Sequence, residues 1–256
     1  MKPLISIITT TYQYAHYIND LLSSVQNQSF KNFECIIVDD FSNDNIYDVV
    51  KKYLTDNRFQ FIQFESNKGY SAAKNAGLIR SKGKYTVIID GDDMLLPNSL
   101  KVRLRCMESR PHIQWLHAKA YEFGINKPYE FTYKERPFIK RFKLMQKKED
   151  YRELWSCIHS QTVMTKRSVY EKVGLYEESM RSSADKEMWA RILNNIGMPH
   201  YLKDFVSCYR IHDNQMHKSK EKMKNIKKIK KNLEYFINKR KLGDFEGIKL
   251  LPGDIS

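Results

Sequence analysis

The sequence predicts an α/β protein built on a Rossmann-like, mostly parallel sheet flanked by helices. Three observations predict it. Strand-like and helix-like segments alternate over the first 110 residues. The strand-like runs are short and continuously apolar, as strands buried on both faces are. Two acidic clusters, Asp39-Asp40 and Asp90-Gly91-Asp92-Asp93, end two of those runs, at the edge where such sheets gather their ligands.

Taken in order, residues 4–11 form a β-branched apolar run, and Tyr17, Ile18, Leu21, Leu22 and Val25 then recur at helical spacing up to Gln28. Residues 33–39 read as a second buried strand, and Ile46, Val49, Val50 and Tyr53 mark a second helix. Phe59, Phe61 and Phe64 make a largely alternating third strand. Residues 69–81 read as a third helix and 85–90 as a fourth strand. After that the rhythm breaks. Residues 113–123 predict a longer strand, and 124–150, polar, basic and aromatic with Pro128 and Pro137, a loop over a site. A short strand from Thr162, a helix ending near Gly174, a helix over 186–195 and a strand over 202–211 complete the pattern.

With 256 residues, 41% of them hydrophobic, the chain can bury a core. Its ten Gly and seven Pro are spread too thinly to make an interior linker. The longest apolar runs, at 4–8 and 87–89, fall far short of the roughly 20 residues that cross a bilayer. The first of them stops at Thr9-Thr10-Thr11 without a cleavage site. The expectation is a cytoplasmic protein. Cys35, Cys106, Cys157 and Cys208 lie far apart with no Cys-x-x-Cys pair, and read as reduced and structural.

The net charge of +14 is concentrated. Residues 217–241 hold eleven Lys and Arg against Glu221 and Glu234, and 134–148 hold seven against Glu135, which leaves the remainder close to neutral. Such clustering predicts particular anionic contacts rather than a coat for nucleic acid. In the first of these stretches Met223, Ile226, Ile229, Leu233, Phe236 and Ile237 fall on one stripe, which predicts a basic terminal helix. It either packs on the body or lies on an anionic membrane surface, as a peripheral protein would on the inner face of the membrane. Tyr235 and Phe236 alone make no stacking platform, so no nucleic-acid partner is expected.

Like charges as close as those of the acidic clusters repel unless a cation or hydrogen-bond donors neutralise them. Mg²⁺ or Mn²⁺, taking carboxylate oxygens plus the phosphate oxygens of a nucleoside diphosphate, is the economical solution. Gly91 would let the backbone approach such a ligand. Helix-capping acids are the structural alternative for each cluster alone.

Four segments now stand in a telling order: Ser6-Ile7-Ile8-Thr9-Thr10-Thr11-Tyr12, Val38-Asp39-Asp40-Phe41-Ser42-Asn43-Asp44, Asn67-Lys68-Gly69-Tyr70-Ser71-Ala72-Ala73-Lys74-Asn75-Ala76-Gly77, and Asp90-Gly91-Asp92-Asp93. Gly174-Leu175-Tyr176, residues 185–189 and Tyr209-Arg210-Ile211-His212 follow. Over roughly residues 3–213 the chain resembles the inverting nucleotide-sugar glycosyltransferases of family two, with the GT-A fold. The resemblance implies a GT-A domain over 1–215, with 1–110 as the nucleotide-sugar-binding half, 111–215 as the acceptor-binding half and 216–256 as a basic helical extension.

Residue by residue, it implies that Thr10 and Tyr12 border the base and ribose of a nucleotide, usually uridine, and that Asp40 accepts a hydrogen bond from the uracil ring. Lys74, where the family commonly has Arg, would offer charge to a phosphate without the bidentate fork. Asp90 and Asp92 correspond to the ribose and metal contacts, Asp92 being the direct ligand, and His212 to the histidine that completes the metal site. Asp93, Trp155 and His159 fall where donor-sugar or acceptor contacts lie. Asp185 corresponds to the base, although the Glu that usually precedes it is Ala184 here, and Glu187 is the substitute. Taken alone, Asp185 would read as an acid favouring a helix dipole.

The implied activity is metal-dependent inverting transfer from a UDP-sugar to a hydroxyl of a saccharide or lipid-linked acceptor, for surface polysaccharide or glycolipid. A weakened nucleotide- or glycan-binding relative is the alternative, motivated by Ala184 and Lys74. No glycine lies in Thr9–Gln13 and no Gly-x-x-x-x-Gly-Lys-Ser/Thr run exists, which removes sugar nucleotidyltransferases and P-loop kinases.

Overall fold

The structure, a computed structural model, describes residues 2–124, 131–132, 158–180, 182–213, 215, 231 and 234–235. The 124–150 loop beyond Gly124 and residues 131–132, Trp155, Cys157 and nearly all of the basic terminal stretch lie outside them.

Four strands arise where the apolar runs predict them: β1 (Ile5–Thr11), β2 (Phe33–Asp39), β3 (Phe59–Gln63) and β4 (Tyr85–Asp90). Every residue of β1 and β2 is buried. The two faces of the sheet split the apolar residues by parity. Ile5, Ile7, Cys35, Ile37, Val87 and Ile89 pack with one layer, which includes Leu21, Leu22 and Val25 of α1 (Ala15–Gln26). Ile8 and Ile88 pack on the opposite face, in a cluster with Trp115 and Trp189. Continuous hydrophobicity is the consequence of that double burial.

Among the described residues the sheet has eight strands in the order β3-β2-β1-β4-β7-β6-β8-β5. β1 pairs parallel with both β2 and β4, β2 with β3, and β6 (Trp115–Phe123) with β8 (His200–Arg210). The rest is antiparallel. β7 (Met164–Lys166) joins β4 to β6, and the two-residue β5 (Met94–Leu95) closes the edge on β8. Helices α2 (Ile46–Val50), α3 (Tyr70–Arg80), α4 (Ser99–Ser109), α5 (Arg167–Val173) and α6 (Ala184–Asn195) complete the described elements.

Several boundaries differ from the sequence pattern. α2 is a single short stretch because Asn45 enters it left-handed and the chain leaves it after Val50. α6 begins two residues earlier than the periodicity suggests, at the buried Ala184. α3 lies so close to β1 that a Cβ on Gly77 would stand 2.3 Å from Ile8 Cγ2. Cys35, Cys106 and Cys208 are free and buried.

Candidate active site

From β1 the chain winds outward through β2 and β3 on one side and passes to β4 on the other. That reversal opens a crevice at the carboxyl ends of β1 and β4, where open α/β sheets bind ligands. Thr10 lies opposite Asp90 and Thr11 opposite Asp39 in the strand register. The sequence motifs therefore meet at one edge.

Asp39 and Asp40 divide their work. Asp39 is buried and accepts hydrogen bonds from Ser42 Oγ, the Ser42 N–H and Gln63 Nε2, which fixes the loop after β2. Asp40 accepts from the N–H groups of Lys68 and Gly69, at 2.7 and 2.9 Å. Gly69 has φ 91°, a region L side chains rarely adopt. It lets two consecutive N–H groups at the start of α3 meet one carboxylate. Both Asp40 oxygens are thus engaged, and a nucleobase would use only their remaining lone pairs.

The loops after β1 and β2 are tied together: the Gln13 N–H donates to Ser42 Oγ at 2.8 Å and the Asp40 N–H to the Thr11 carbonyl at 3.0 Å. Both loops carry a non-glycine residue at positive φ, Gln13 at 58° and Phe41 at 69°. Tyr12 and Phe41 are left 46% and 52% exposed. Phe41 stands within the second motif segment, but the sequence gives it no role, because its exposure depends on the loop's backbone.

The middle of the crevice holds a charged chain. Thr10 Oγ1 donates to Asp90 Oδ1 at 3.4 Å. Lys74 Nζ, on a side chain with no exposed surface, stands 3.7 Å from Asp90 Oδ1 and 2.8 Å from Asp185 Oδ1. The Tyr70 and Tyr176 rings lie 4.8 and 5.5 Å from the ammonium. Burial pulls the Lys74 pKa down, but Asp185 and Asp90 more than reverse it, so Lys74 stays charged. Asp90 moves the other way. Partial desolvation of its carboxyl, whose side chain is still 45% exposed, together with the charges of Asp185 and Asp92, raises its pKa despite Lys74, whose ammonium sits nearer Asp185.

At the far side, Asp92 Oδ2 and His212 Nε2 are 3.0 Å apart. Arg210 builds this corner: its Nε donates to the Asp92 carbonyl at 2.8 Å, its N–H to Asp93 Oδ1 at 2.9 Å, and its guanidinium pairs with Asp20 at 2.7 Å. The Tyr17 and Phe123 rings cover it at 4.7 and 4.4 Å. Asp93 is buried and turned to the β8 backbone, and burial first, then Asp92 and Asp90, hold its pKa well above the usual range. Gly91 has a packing reason: a Cβ there would press at 3.2 Å on Ile18, Thr10 and Thr11. The Tyr14 and Tyr209 phenols are both pushed up by burial and then by Asp90, Asp92 and Asp93. Tyr14 stands edge-on to His212 at 5.7 Å, and His159 lies 5.3 Å from Tyr209 at the rim.

Glu187 does not reach the site. It is fully buried and paired with Arg191 at 2.5 Å, while Arg191 also donates to the carbonyls of Val173 and Leu175. Trp155 lies outside the described residues.

The donor set suits a hard cation held by few protein groups. Asp92 Oδ2 and His212 Nε2 stand 3.0 Å apart, a hydrogen-bond separation that two ligands of one ion can also have, Asp90 adds charge nearby, and among the described residues the buried His212 Nδ1 has no hydrogen-bond partner. Among the described residues no group of three or more His, Cys, Asp or Glu side chains stands ready to hold a metal. Any such ion would complete its shell from ligand oxygens.

The family model "Glycosyl transferase family 2" matches residues 6–174. An uncharacterized glycosyltransferase of Methanocaldococcus jannaschii is 29% identical over 253 residues, 93% of this chain and 83% of that protein. The putative teichuronic acid biosynthesis glycosyltransferase TuaG of Bacillus subtilis is 38% identical over 110 residues, 43% of this chain and 44% of TuaG. Among solved structures, S. aureus TarS 1–349 in complex with UDP aligns with a TM-score of 0.71 at 20% identity, covering 96% of this chain and 68% of that one. The mannosyltransferase PcManGT from Pyrobaculum calidifontis, in complex with GDP-Man and Mn²⁺, aligns at 0.61 and 16%, covering 85% and 59%. Both likenesses show the GT-A fold.

Proposed function

The chain belongs to glycosyl transferase family 2, and from that premise we propose that it transfers a sugar from a UDP-sugar to an acceptor hydroxyl, with inversion, in the making of a surface polysaccharide or glycolipid. One observation carries the reading: Asp185, 26% exposed, and the Asp92–His212 pair converge with Asp90 at the sheet's switch point. UDP bound to TarS and the teichuronic acid role named for TuaG support the donor and the pathway class.

In this proposal Thr10 and Tyr12 border the nucleoside, and Asp40 fixes the start of α3 beside it. Asp185 accepts the proton of the acceptor hydroxyl while that oxygen bonds to the anomeric carbon. The bond from that carbon to the diphosphate oxygen breaks, and its electron pair leaves with the diphosphate. Asp92 and His212 would hold Mg²⁺ or Mn²⁺, which when bound neutralises charge on the leaving diphosphate. His159, at the rim beside Tyr209, belongs to the acceptor side.

Thermal melts with UDP, GDP, CDP and TDP, each with and without Mn²⁺, test the reading. A ligand at about 100 times its Kd adds roughly 2.7 kcal/mol, hence several degrees at roughly 2–4 °C per kcal/mol. A metal-dependent rise with UDP is expected. No rise with any nucleotide overturns the donor site. A rise without turnover of any donor favours the competing reading, a binding relative, which Ala184 and the Lys74–Asp185 pair support.

A further inference from the structure

Lys74 pairs with Asp185, the residue after Ala184, so the two departures bear on one carboxylate, and together they suggest a different task for Lys74 from the phosphate contact expected of it. We propose that Lys74 is a positioning residue that clamps Asp185 of α6 against Asp90 of β4, holding one oxygen of the base so that the other faces the acceptor. The inference rests on the reading of Asp185 as the base.

A group that binds an incoming diphosphate must be reachable from the crevice, and the Lys74 side chain has no exposed surface. Its ammonium is walled by the Tyr70 and Tyr176 rings and meets the two carboxylates at 2.8 and 3.7 Å. Such a slot suits a compact ammonium better than a planar fork. The buried Ala184 places no third carboxylate before Asp185.

Among the described residues Lys74 is also the cation paired with Asp185. The other groups near enough to feel its charge are Asp90 of β4, Tyr70 of α3, Tyr170 of α5 and Tyr176 of the following loop. Burial first of all raises the pKa of all three phenols, so they stay neutral. On its own helix Lys186 is exposed and Glu187 is taken by Arg191. The clamp spans 111 residues of sequence and joins the two halves of the sheet through one ion.

Lys74→Met tests it in the full chain, read by UDP affinity and by the kcat–KM split. A positioning role predicts UDP affinity within about threefold of wild type and kcat at least tenfold lower. Lys74→Arg, which keeps the charge but fits the slot less well, should recover part of the lost kcat at the same UDP affinity. A phosphate contact predicts the reverse for Lys74→Met: UDP affinity weakened tenfold or more with kcat little changed, which overturns the proposal. Should Lys74→Met not fold, Lys74→Gln, which keeps a polar group in the slot, decides on the same readouts. Lowered kcat at retained UDP affinity supports the clamp, and full kcat with weakened UDP binding overturns it. Asp185→Asn separates the underlying reading, since full activity there removes the base whatever Lys74 does.

Discussion

Asp185 and Glu187 stand two residues apart in one helix, and sequence offers either as a base. Their surroundings separate them: Asp185 opens to the crevice beside Lys74, whereas Glu187 is sealed against Arg191. Asp185→Asn should therefore lose about 10²–10⁴ in rate and lower the melting temperature less than Glu187→Gln does, because the amide oxygen can still accept from Lys74 and Asp90 stays beside the ammonium. Glu187→Gln should do the opposite. Breaking a buried pair costs about 3–5 kcal/mol, or roughly 6–20 °C in a chain of this size, and the folded fraction should keep its turnover. Melts and initial rates on both variants check this, and a Glu187→Gln protein that is stable but inactive would restore Glu187 as the base. The i,i+4 spacing of Glu187 and Arg191 was legible in the sequence; that both are buried was not, because burial belongs to the neighbours. For the same reason Asp92 and His212 could be named as partners from the motifs, whereas the corner that Arg210 builds around them could not. Its contacts reach Asp20, Asp92 and Asp93 from 117 to 190 positions away.

At the scale of elements, the strands that were easiest to read, β1, β2 and β4, are those the fold buries on both faces. Double burial demands apolar residues without interruption. β5 left no trace because two residues hold no period, whereas β7 falls within the short strand expected from Thr162. α4 hides for another reason: its buried face carries Arg103, which donates to Ser99, Gln161 and Val163, so the apolar stripe is broken by a cation. α3 is the element on which the site depends, since it presents Lys74 while Gly77 seats it on Ile8. Gly77→Ala sets two effects against each other. Alanine favours the helix by about 1 kcal/mol, while the methyl would stand 2.3 Å from Ile8 Cγ2 in a core without spare room, and overpacking costs about 1–3 kcal/mol. An overlap that deep, against a stiff β-branched side chain on a central strand, lets the second effect win. The net cost is then up to about 2 kcal/mol, and the variant should melt up to roughly 8 °C lower by the same scaling. A melting temperature at or above wild type would mean that α3 can lift off β1 without loss.

For the whole molecule, the concentrated charge lies almost wholly in stretches outside the described residues. The eleven basic residues of 217–241 follow directly on the last turn of the site, where buried Gln215 donates to the Arg210 carbonyl at 2.6 Å and accepts from the His212 N–H at 3.4 Å. A chain cut after Gln215 keeps every described contact of the crevice, so residues 1–215 should hold the nucleotide-binding unit without the extension. Near an anionic bilayer each Lys or Arg contributes about 1 kcal/mol, and that attraction fades within a Debye length of about 8–10 Å at physiological salt. Among the described residues no helix is long and apolar enough to cross a membrane. Deleting 216–256 should then preserve the UDP-dependent rise in melting temperature and abolish most sedimentation with phosphatidylserine vesicles. The full chain's sedimentation should itself fall steeply as salt is raised. The two halves of the result decide different things. Vesicle binding that survives the deletion removes the extension as the membrane contact and turns attention to the basic residues of 134–148. A lost nucleotide response instead moves the boundary of the folded unit beyond residue 215, because the extension would then be holding the Asp92–His212 corner together.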